Sequence, residues 1–201
     1  MASILKVDTI QDQSGNNIIN ENANTVTIGK AGDTVNVVGT LQNGGTNFLQ
    51  GITEADQWRL TADITTNTNP ISANLERVDN TGAGYLGTGM SVSSGIWTFP
   101  STGLWKIELY ATGIVGAGAI DVQTIIHIRT YISASAVDVA SAFIGSNEDY
   151  DSASTTFLYN VTDTSTHKFS FKSLSMSSST IYGDTDLNYT AFTFIRLGDS
   201  V

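Results

Sequence analysis

Two clusters of carboxylates are the residues of this sequence whose type and spacing suit cation binding. The first holds Glu148, Asp149 and Asp151, and the second holds Asp184 and Asp186, each within a run of turn-forming residues. Calcium binds hard oxygen ligands of this kind, but the spacing does not match the twelve-residue calcium loop. We therefore expect solvated turn charges at these positions, with calcium as a weak alternative and no other cofactor.

Residues that catalyse reactions are scarce. His127 lies among isoleucines and His167 in a turn, and neither has a neighbour at the spacing that zinc requires. The chain has no cysteine, and no serine stands in the context of a nucleophile elbow, so acyl transfer has no visible machinery. The sequence predicts that the protein is not an enzyme. A polysaccharide depolymerase is the enzymatic alternative, and it needs a cleft with paired carboxylates that a sequence does not reveal.

Three tyrosines in or beside turns are candidates for surface binding, namely Tyr85, Tyr150 and Tyr182. A tyrosine ring beside acidic and amide side chains can stack on a sugar ring, although single surface aromatics are common. Loops at one end of a β fold frequently carry binding residues. A glycan is therefore the candidate ligand for these rings.

Composition narrows the class of protein. The 201 residues include 9 Lys and Arg against 19 Asp and Glu, and this net charge of -10 repels phosphate backbones and anionic lipids. No apolar run reaches the roughly 20 residues that cross a bilayer. The first residues are polar from Lys6 onward and lack the apolar core of a secretory signal. We expect no nucleic acid partner, no membrane insertion and no signal peptide.

Apolar and polar residues alternate through much of the chain, which is the period of a β-strand. In residues 103–110, for example, Trp105, Ile107 and Leu109 share one face. This number and spacing of strands predicts an all-β sandwich or barrel. Similar strands are predicted at 122–132, 155–161, 168–174 and 189–197.

The first 42 residues differ from the rest. They are small and polar with β-branched residues at alternate positions, and a turn at 14–16 predicts a hairpin. We predict a β-rich stem or anchor over 1–42, a linker over 43–57 and a head domain over 58–201. A thin stem needs its apolar face covered, and neighbouring copies of the chain are the expected cover.

Two predicted strands carry apolar residues on both faces. They lie at 125–128 and 189–197. In a two-layer sandwich the opposite sheet covers one face of each strand, so the other face is predicted to contact another subunit. The candidates for this interface are Ile126, Ile128, Tyr189, Phe192 and Phe194.

The segment 96–109 resembles the signature of the tumour necrosis factor-like proteins, in particular the globular heads of the complement recognition subcomponent. A Trp stands where that family usually has Tyr. The closing segment 189–195 is similar to the family's final strand, which is central in its trimers. The resemblance covers residues 58–201 and implies an antiparallel jelly-roll β-sandwich that forms a homotrimer. The positions of the signature are filled by Phe99, Gly103, Trp105, Ile107 and Leu109.

The segment 4–16 resembles the opening of fibre and other virion proteins of tailed phages, and residues 55–60 and 74–79 are similar to the same group. This resemblance implies a virion protein that forms a trimeric fibre or spike. Its N-terminal segment would dock on other virion proteins and its head would contact a host surface glycan or protein. The alternative is a capsid decoration or head-fibre protein without a receptor role. A secreted bacterial recognition module is less favoured, because it needs a signal peptide.

Overall fold

The computed structural model describes residues 37–39, 42–43, 46–47, 51–115, 123–145 and 150–201. The chain divides into two compact units, Met1–Leu49 and Gln50–Val201. In the first unit, β1 (Gln42–Asn43) pairs antiparallel with β2 (Thr46–Asn47). The rest of the predicted stem over 1–42, apart from residues 37–39, lies outside the described residues.

The second unit is built from β-strands, and its described residues contain no helix. Among these residues, accordingly, there is no helical segment of the length and apolarity that would cross a membrane. The strands are β3 (Ala55–Leu60), β4 (Leu75–Arg77), β5 (Ser91–Ser93), β6 (Ile96–Thr98), β7 (Gly103–Val115), β8 (Thr124–Ile132), β9 (Ser135–Ile144), β10 (Tyr150–Val161), β11 (His167–Leu174), β12 (Ser179–Ile181) and β13 (Thr190–Gly198).

The strands form two antiparallel sheets. Six of them make one sheet in the order β10-β7-β13-β3-β4, with β12 paired to the end of β7. The other five make the second sheet in the order β5-β6-β11-β8-β9. Most neighbours within a sheet are distant in sequence, because the chain crosses repeatedly from one sheet to the other. This interleaved connectivity confirms the prediction of an antiparallel jelly-roll sandwich.

Aromatic rings fill the space between the two sheets. Trp97 of β6 has no exposed surface. Its ring centroid lies 5.1 Å from that of Trp58 in an edge-to-face arrangement and 5.0 Å from that of Phe194. Phe171 and Phe192, one from each sheet, stack with centroids 4.3 Å apart. Such pairs stabilise a core beyond the burial of their apolar area.

Several boundaries differ from those predicted. Strand β10 begins at Tyr150, before the predicted start at residue 155, because Ser and Thr at its outward positions hide the strand pattern. Strand β3 begins at Ala55, inside the predicted linker 43–57, and lies between β13 and β4. The head therefore includes residues that the sequence assigns to the linker.

Four of the five predicted interface residues lie in the core of the chain itself. Ile126 and Ile128 of β8, and Phe192 and Phe194 of β13, have no exposed surface. They point between the sheets, so they have no surface to offer another subunit, and their assignment to an interface is wrong. The fifth, Tyr189, is 41% exposed.

The strand directions define two ends of the sandwich. Residues 51–54 lead into β3 at one end, where Ala55 pairs with Ile195 near the end of β13. We call this the entry end. At the opposite end, Tyr150 begins β10 beside Ile114, near the end of β7. We call this opposite end the tip.

Loss of one core aromatic ring tests the importance of this packing. We expect Phe192→Ala to lower the free energy of unfolding by about 3–5 kcal/mol, because the cavity cannot close in a rigid sandwich. Urea denaturation followed by tryptophan fluorescence, at fixed protein concentration, measures the change. Ser154→Ala on the exposed edge strand is the control and should cost well under about 1 kcal/mol. A loss below about 1 kcal/mol for Phe192→Ala would contradict the central role of this ring.

Candidate functional site

The outward side of β10, β7 and β13 in the six-stranded sheet carries one pair of opposite charges. On the outward side of β7, Lys106 and Glu108 form an ion pair at 2.5 Å and so balance each other. Beside them Leu158 of the edge strand β10 is 53% exposed, and Tyr110 of β7 is 42% exposed. Exposed apolar groups on a neutral strip are typical of a surface that meets another protein.

A shallow groove of about 380 Å³ lies on the same face, toward its other edge. Ile195 and Leu158 belong to one row across the sheet, since both residues pair with Lys106 of β7. The protruding Leu158 and the groove therefore lie at the same height along the strands, roughly 12 Å apart at the usual strand spacing. The residues that line the groove are Ala55, Asp56, Gln57, Gly84, Tyr85, Leu86, Thr193 and Ile195.

A buried ion pair holds one wall of this groove. The Asp56 carboxylate is 4% exposed and accepts hydrogen bonds from Arg77 Nε at 2.9 Å, from Trp58 Nε1 at 2.9 Å and from Met90 N at 2.7 Å. The guanidinium of Arg77 lies 4.3 Å from the Tyr85 ring centroid and 5.0 Å from that of Trp58. Tyr85, predicted as a free binding ring, is thus engaged by Arg77 at the wall of the groove.

A second carboxylate, that of Glu54, binds the loop that contains Tyr85 and Met90. Glu54 Oε2 accepts hydrogen bonds from the backbone amides of Thr88 at 2.9 Å and Gly89 at 3.0 Å. The loop also bridges β3 directly, since Leu86 N donates to Ala55 O at 2.8 Å. We call the hydrogen bonds of Asp56 and Glu54 to Arg77 and to residues 88–90 the clamp. Sequence reasoning missed it, because the pairing of segments 55–60 and 74–79 as β3 and β4 is not visible in either segment alone.

Two of the predicted cation ligands, Asp151 and Asp184, accept hydrogen bonds from backbone amides. Asp151 accepts from the amides of Ser152 and Gly145 at 2.8 and 3.1 Å. Asp184 Oδ1 accepts from the amides of Asp186 and Leu187 at 2.7 and 2.8 Å, and these two hydrogen bonds lower the pKa of Asp184. Within the described ranges no three His, Cys, Asp or Glu side chains converge on a common point that could hold a metal. Glu148 and Asp149 lie outside those ranges, so calcium there stays a prediction.

Three tyrosines come together at the tip. The ring centroids of Tyr150 and Tyr182 are 5.3 Å apart, and those of Tyr182 and Tyr189 are 6.3 Å apart. Tyr150 is 74% exposed. Burial raises the pKa of Tyr182, and nearby Tyr150 and Asp63 raise it further. The structure thus unites two of the three predicted binding rings and adds Tyr189, which the sequence assigned to an interface.

Hydroxyl groups continue from this cluster along the sheet. Tyr110 Oη donates to Ser152 Oγ at 3.1 Å and accepts from Thr112 Oγ1 at 3.2 Å. These hydrogen bonds lower the pKa of Tyr110, and the one with Ser152 contributes most. The hydroxyl groups of Tyr110, Ser152 and Thr112 lie between the tyrosine rings and the row that contains Leu158. They therefore border the rings on the side of the sheet.

Weakening the clamp tests its part in shaping the groove. We expect Asp56→Ala to lower the free energy of unfolding by about 3 kcal/mol, because Arg77 is left without its buried counter-charge. Arg77→Lys should lose about 2 kcal/mol, since an ammonium cannot make the paired hydrogen bonds or stack between two rings. Thermal and urea unfolding measure both changes. Asp199→Ala is the control, because it removes an ion pair with Arg196 in which the carboxylate is 79% exposed. Equal losses for all three variants would contradict a special role for Asp56.

Comparisons with known proteins bear on the fold. No known family profile matches the sequence, and no curated protein matches it. Eiger, a tumour necrosis factor of S. frugiperda, superposes with a TM-score of 0.55 at 8% identity, covering 75% of this chain and 96% of its own. Murine APRIL at pH 5.0 superposes with a TM-score of 0.53 at 10% identity, covering 72% and 98%.

A third structure is more distant. The globular domain of zebrafish complement 1qA superposes with a TM-score of 0.48 at 9% identity over 73% of this chain, and the fold assignment does not depend on it. At such identities the likeness concerns the fold alone. The Gln50–Val201 unit has the jelly-roll fold of the tumour necrosis factor-type proteins, as the resemblance of residues 96–109 predicts.

Proposed function

We propose that the protein is a structural component of a phage particle, a homotrimeric fibre or spike whose head projects toward the host surface. The observation that carries this proposal is the neutral outward face of the six-stranded sheet. It has a protruding Leu158 at one edge and a groove beside Ile195 at the other. A surface with both a protrusion and a matching recess suits assembly with copies of itself.

The geometry favours a closed ring. The protrusion and the recess differ, so each copy uses one of each, which is a head-to-tail contact. Leu158 and Ile195 lie in one row across the sheet, and a rotation about an axis along the strands therefore brings them together without a shift along that axis. Contacts of this kind close into a ring instead of extending into a filament. The resemblance of residues 96–109 supports three copies in the ring.

The virion role is supported by the resemblance of residues 4–16, 55–60 and 74–79 to phage fibre proteins. In this proposal the N-terminal unit docks on other virion proteins, and the head contacts the host surface. The absence of a recognisable catalytic constellation in the sequence agrees with a structural role. A capsid decoration shares this assembly but predicts no affinity for a host glycan.

Molar mass in solution tests the assembly. We expect light scattering of the full chain to give three times the 21.3 kDa chain mass. Leu158→Lys should reduce it to a single chain, because three lysines would be buried at apolar contacts of the ring. The matched control is Ile132→Lys, since Ile132 is 55% exposed but lies at a hairpin end on the other sheet.

Two results would contradict this assembly. The first is a wild-type chain that runs as a monomer at all concentrations. The second is a trimer that survives Leu158→Lys and also Ile195→Lys at the groove. Circular dichroism of each variant establishes that the head remains folded. If the residues 50–201 alone are trimeric, the head drives assembly and the N-terminal unit serves attachment.

Antibody labelling tests the virion role independently. Antibodies raised against residues 50–201 should label intact particles in electron micrographs of a culture that produces the protein, at positions projecting from the particle. Label at fibre ends favours the fibre, and label spread over the capsid surface favours the decoration. Label confined to cell surfaces or free protein would overturn the virion proposal.

A further inference from the structure

We infer that the tyrosine cluster at the tip, formed by Tyr150, Tyr182 and Tyr189, is a binding site for the pyranose rings of a neutral or amino-sugar glycan. The inference rests on the proposed function for its setting on a host surface. The site itself is defined by the contacts, exposure and charge of the tip residues. Each of these properties limits the class of sugar that the site could bind.

The rings provide a stacking platform. Tyr150 is 74% exposed yet held at 5.3 Å and a 35° tilt against Tyr182, so its orientation is fixed while its surface faces solvent. Tyr182 in turn contacts Tyr189. A ring that is already positioned loses little conformational entropy when it binds, and a flat apolar surface matches the C–H face of a pyranose.

Polar groups at the border of the platform match sugar hydroxyls. Ser152 is exposed beside Tyr150 on β10, and its hydroxyl contacts those of Tyr110 and Thr112. Hydroxyls can donate or accept, so they adapt to either role of a sugar hydroxyl. Asp63 lies near Tyr182, and its carboxylate accepts a hydrogen bond from the Gly183 amide at 3.0 Å. The combination of aromatic rings, hydroxyls and a carboxylate is suited to a carbohydrate.

Charge at the tip selects against acidic sugars. Asp63 acts electrostatically on Tyr182, Asp151 follows Tyr150 in the chain, and Asp184 lies two residues after Tyr182. The cation that acts on Asp184 is Arg59, but Arg59 is 1% exposed and bound to Glu76 at 2.6 Å. A uronate, sialate or sulfated sugar would therefore be repelled by these carboxylates, and the buried Arg59 could not bind it in compensation. A neutral sugar meets no such penalty, and an amino sugar gains from the carboxylates.

The location leaves the site open in the proposed trimer. Tyr150 and Leu158 lie on the same strand eight residues apart, which corresponds to roughly 27 Å. The platform is therefore well separated from the row that we assign to the contact between copies. It also lies at the end opposite the one where the chain enters the head. Three copies would present three platforms together, so weak contacts at each would add to strong adhesion.

A glycan array tests the site with the full-length protein. The probes are bacterial neutral, amino-sugar and acidic polysaccharides, and we expect binding to members of the first two groups. Binding to the best probe is then measured by calorimetry. Tyr150→Ala should weaken it at least tenfold, whereas Tyr150→Phe should retain most of it because the stacking surface remains. Phe143→Ala, an exposed ring near the tip on the other sheet, is the matched control and should change nothing.

The outcomes separate this inference from the proposed assembly. No binding to any probe, a preference for acidic probes, or unchanged binding by Tyr150→Ala would each overturn the inference while leaving the trimer standing. Light scattering of Tyr150→Ala is measured in parallel, and a loss of the trimer would show that the ring serves assembly, which also overturns it. Tyr150-dependent binding of neutral glycan by a monomeric wild-type chain would support the inference and contradict the trimer.

Discussion

The packing of aromatic rings between the two sheets is the constraint on which the rest of the structure depends. Trp97 and the rings of β13 contact one another across the sandwich. Once Phe192 and Phe194 point inward, the alternation of a strand forces Thr193 and Ile195 outward. The same rule sets the outward residues of β7 and β10. The neutral face and its groove are therefore consequences of how the core is filled.

The Asp56 clamp adds a contact that the sheets alone do not provide. Residues 84–90 belong to the connection between β4 and β5, and they are attached to β3 by the backbone bridge of Leu86 with Ala55 and by hydrogen bonds to Asp56 and Glu54. Because Asp56 is 4% exposed, its charge depends on Arg77 for compensation. Pairing of β3 with β4 brings the two together. The wall of the groove is thus determined by a strand pairing between residues far apart in sequence.

Much of the fold could be predicted from the sequence. Which face of a strand points into the core could be predicted for some strands and not for others. The alternation at Trp105, Ile107 and Leu109 predicts a buried face, and all three are at most 1% exposed. In β13 both faces carry apolar residues, so period alone does not say which side is inward. The two phenylalanines are larger and gain more by burial than Ile195. Period alone therefore does not exclude Phe192 and Phe194 from an interface, whereas their complete burial in the chain does.

The candidate site residues could also be predicted only in part from the sequence. Turn composition places Tyr150 and Tyr182 on the surface, and both lie there or near it, but the two residues are 32 positions apart and meet only because β12 pairs with the end of β7. Tyr189 joins them through its backbone carbonyl, which accepts from Thr112 N at 2.9 Å. Local signals identify which residues lie in turns. Sheet order decides which turns share an end.

The net charge of the chain bears on both the outward face of the six-stranded sheet and the tip. Each chain carries a net charge of -10, so three copies carry three times that value, or -30. Assembly of such a molecule requires that the contacting surfaces hold little of this charge, and the paired Lys106 and Glu108 meet that requirement. The excess acid must then lie elsewhere, and part of it lies at the tip with Asp63, Asp151 and Asp184. In the proposed trimer this distribution would keep repulsion lowest where the copies touch, and it would also disfavour anionic ligands at the tip.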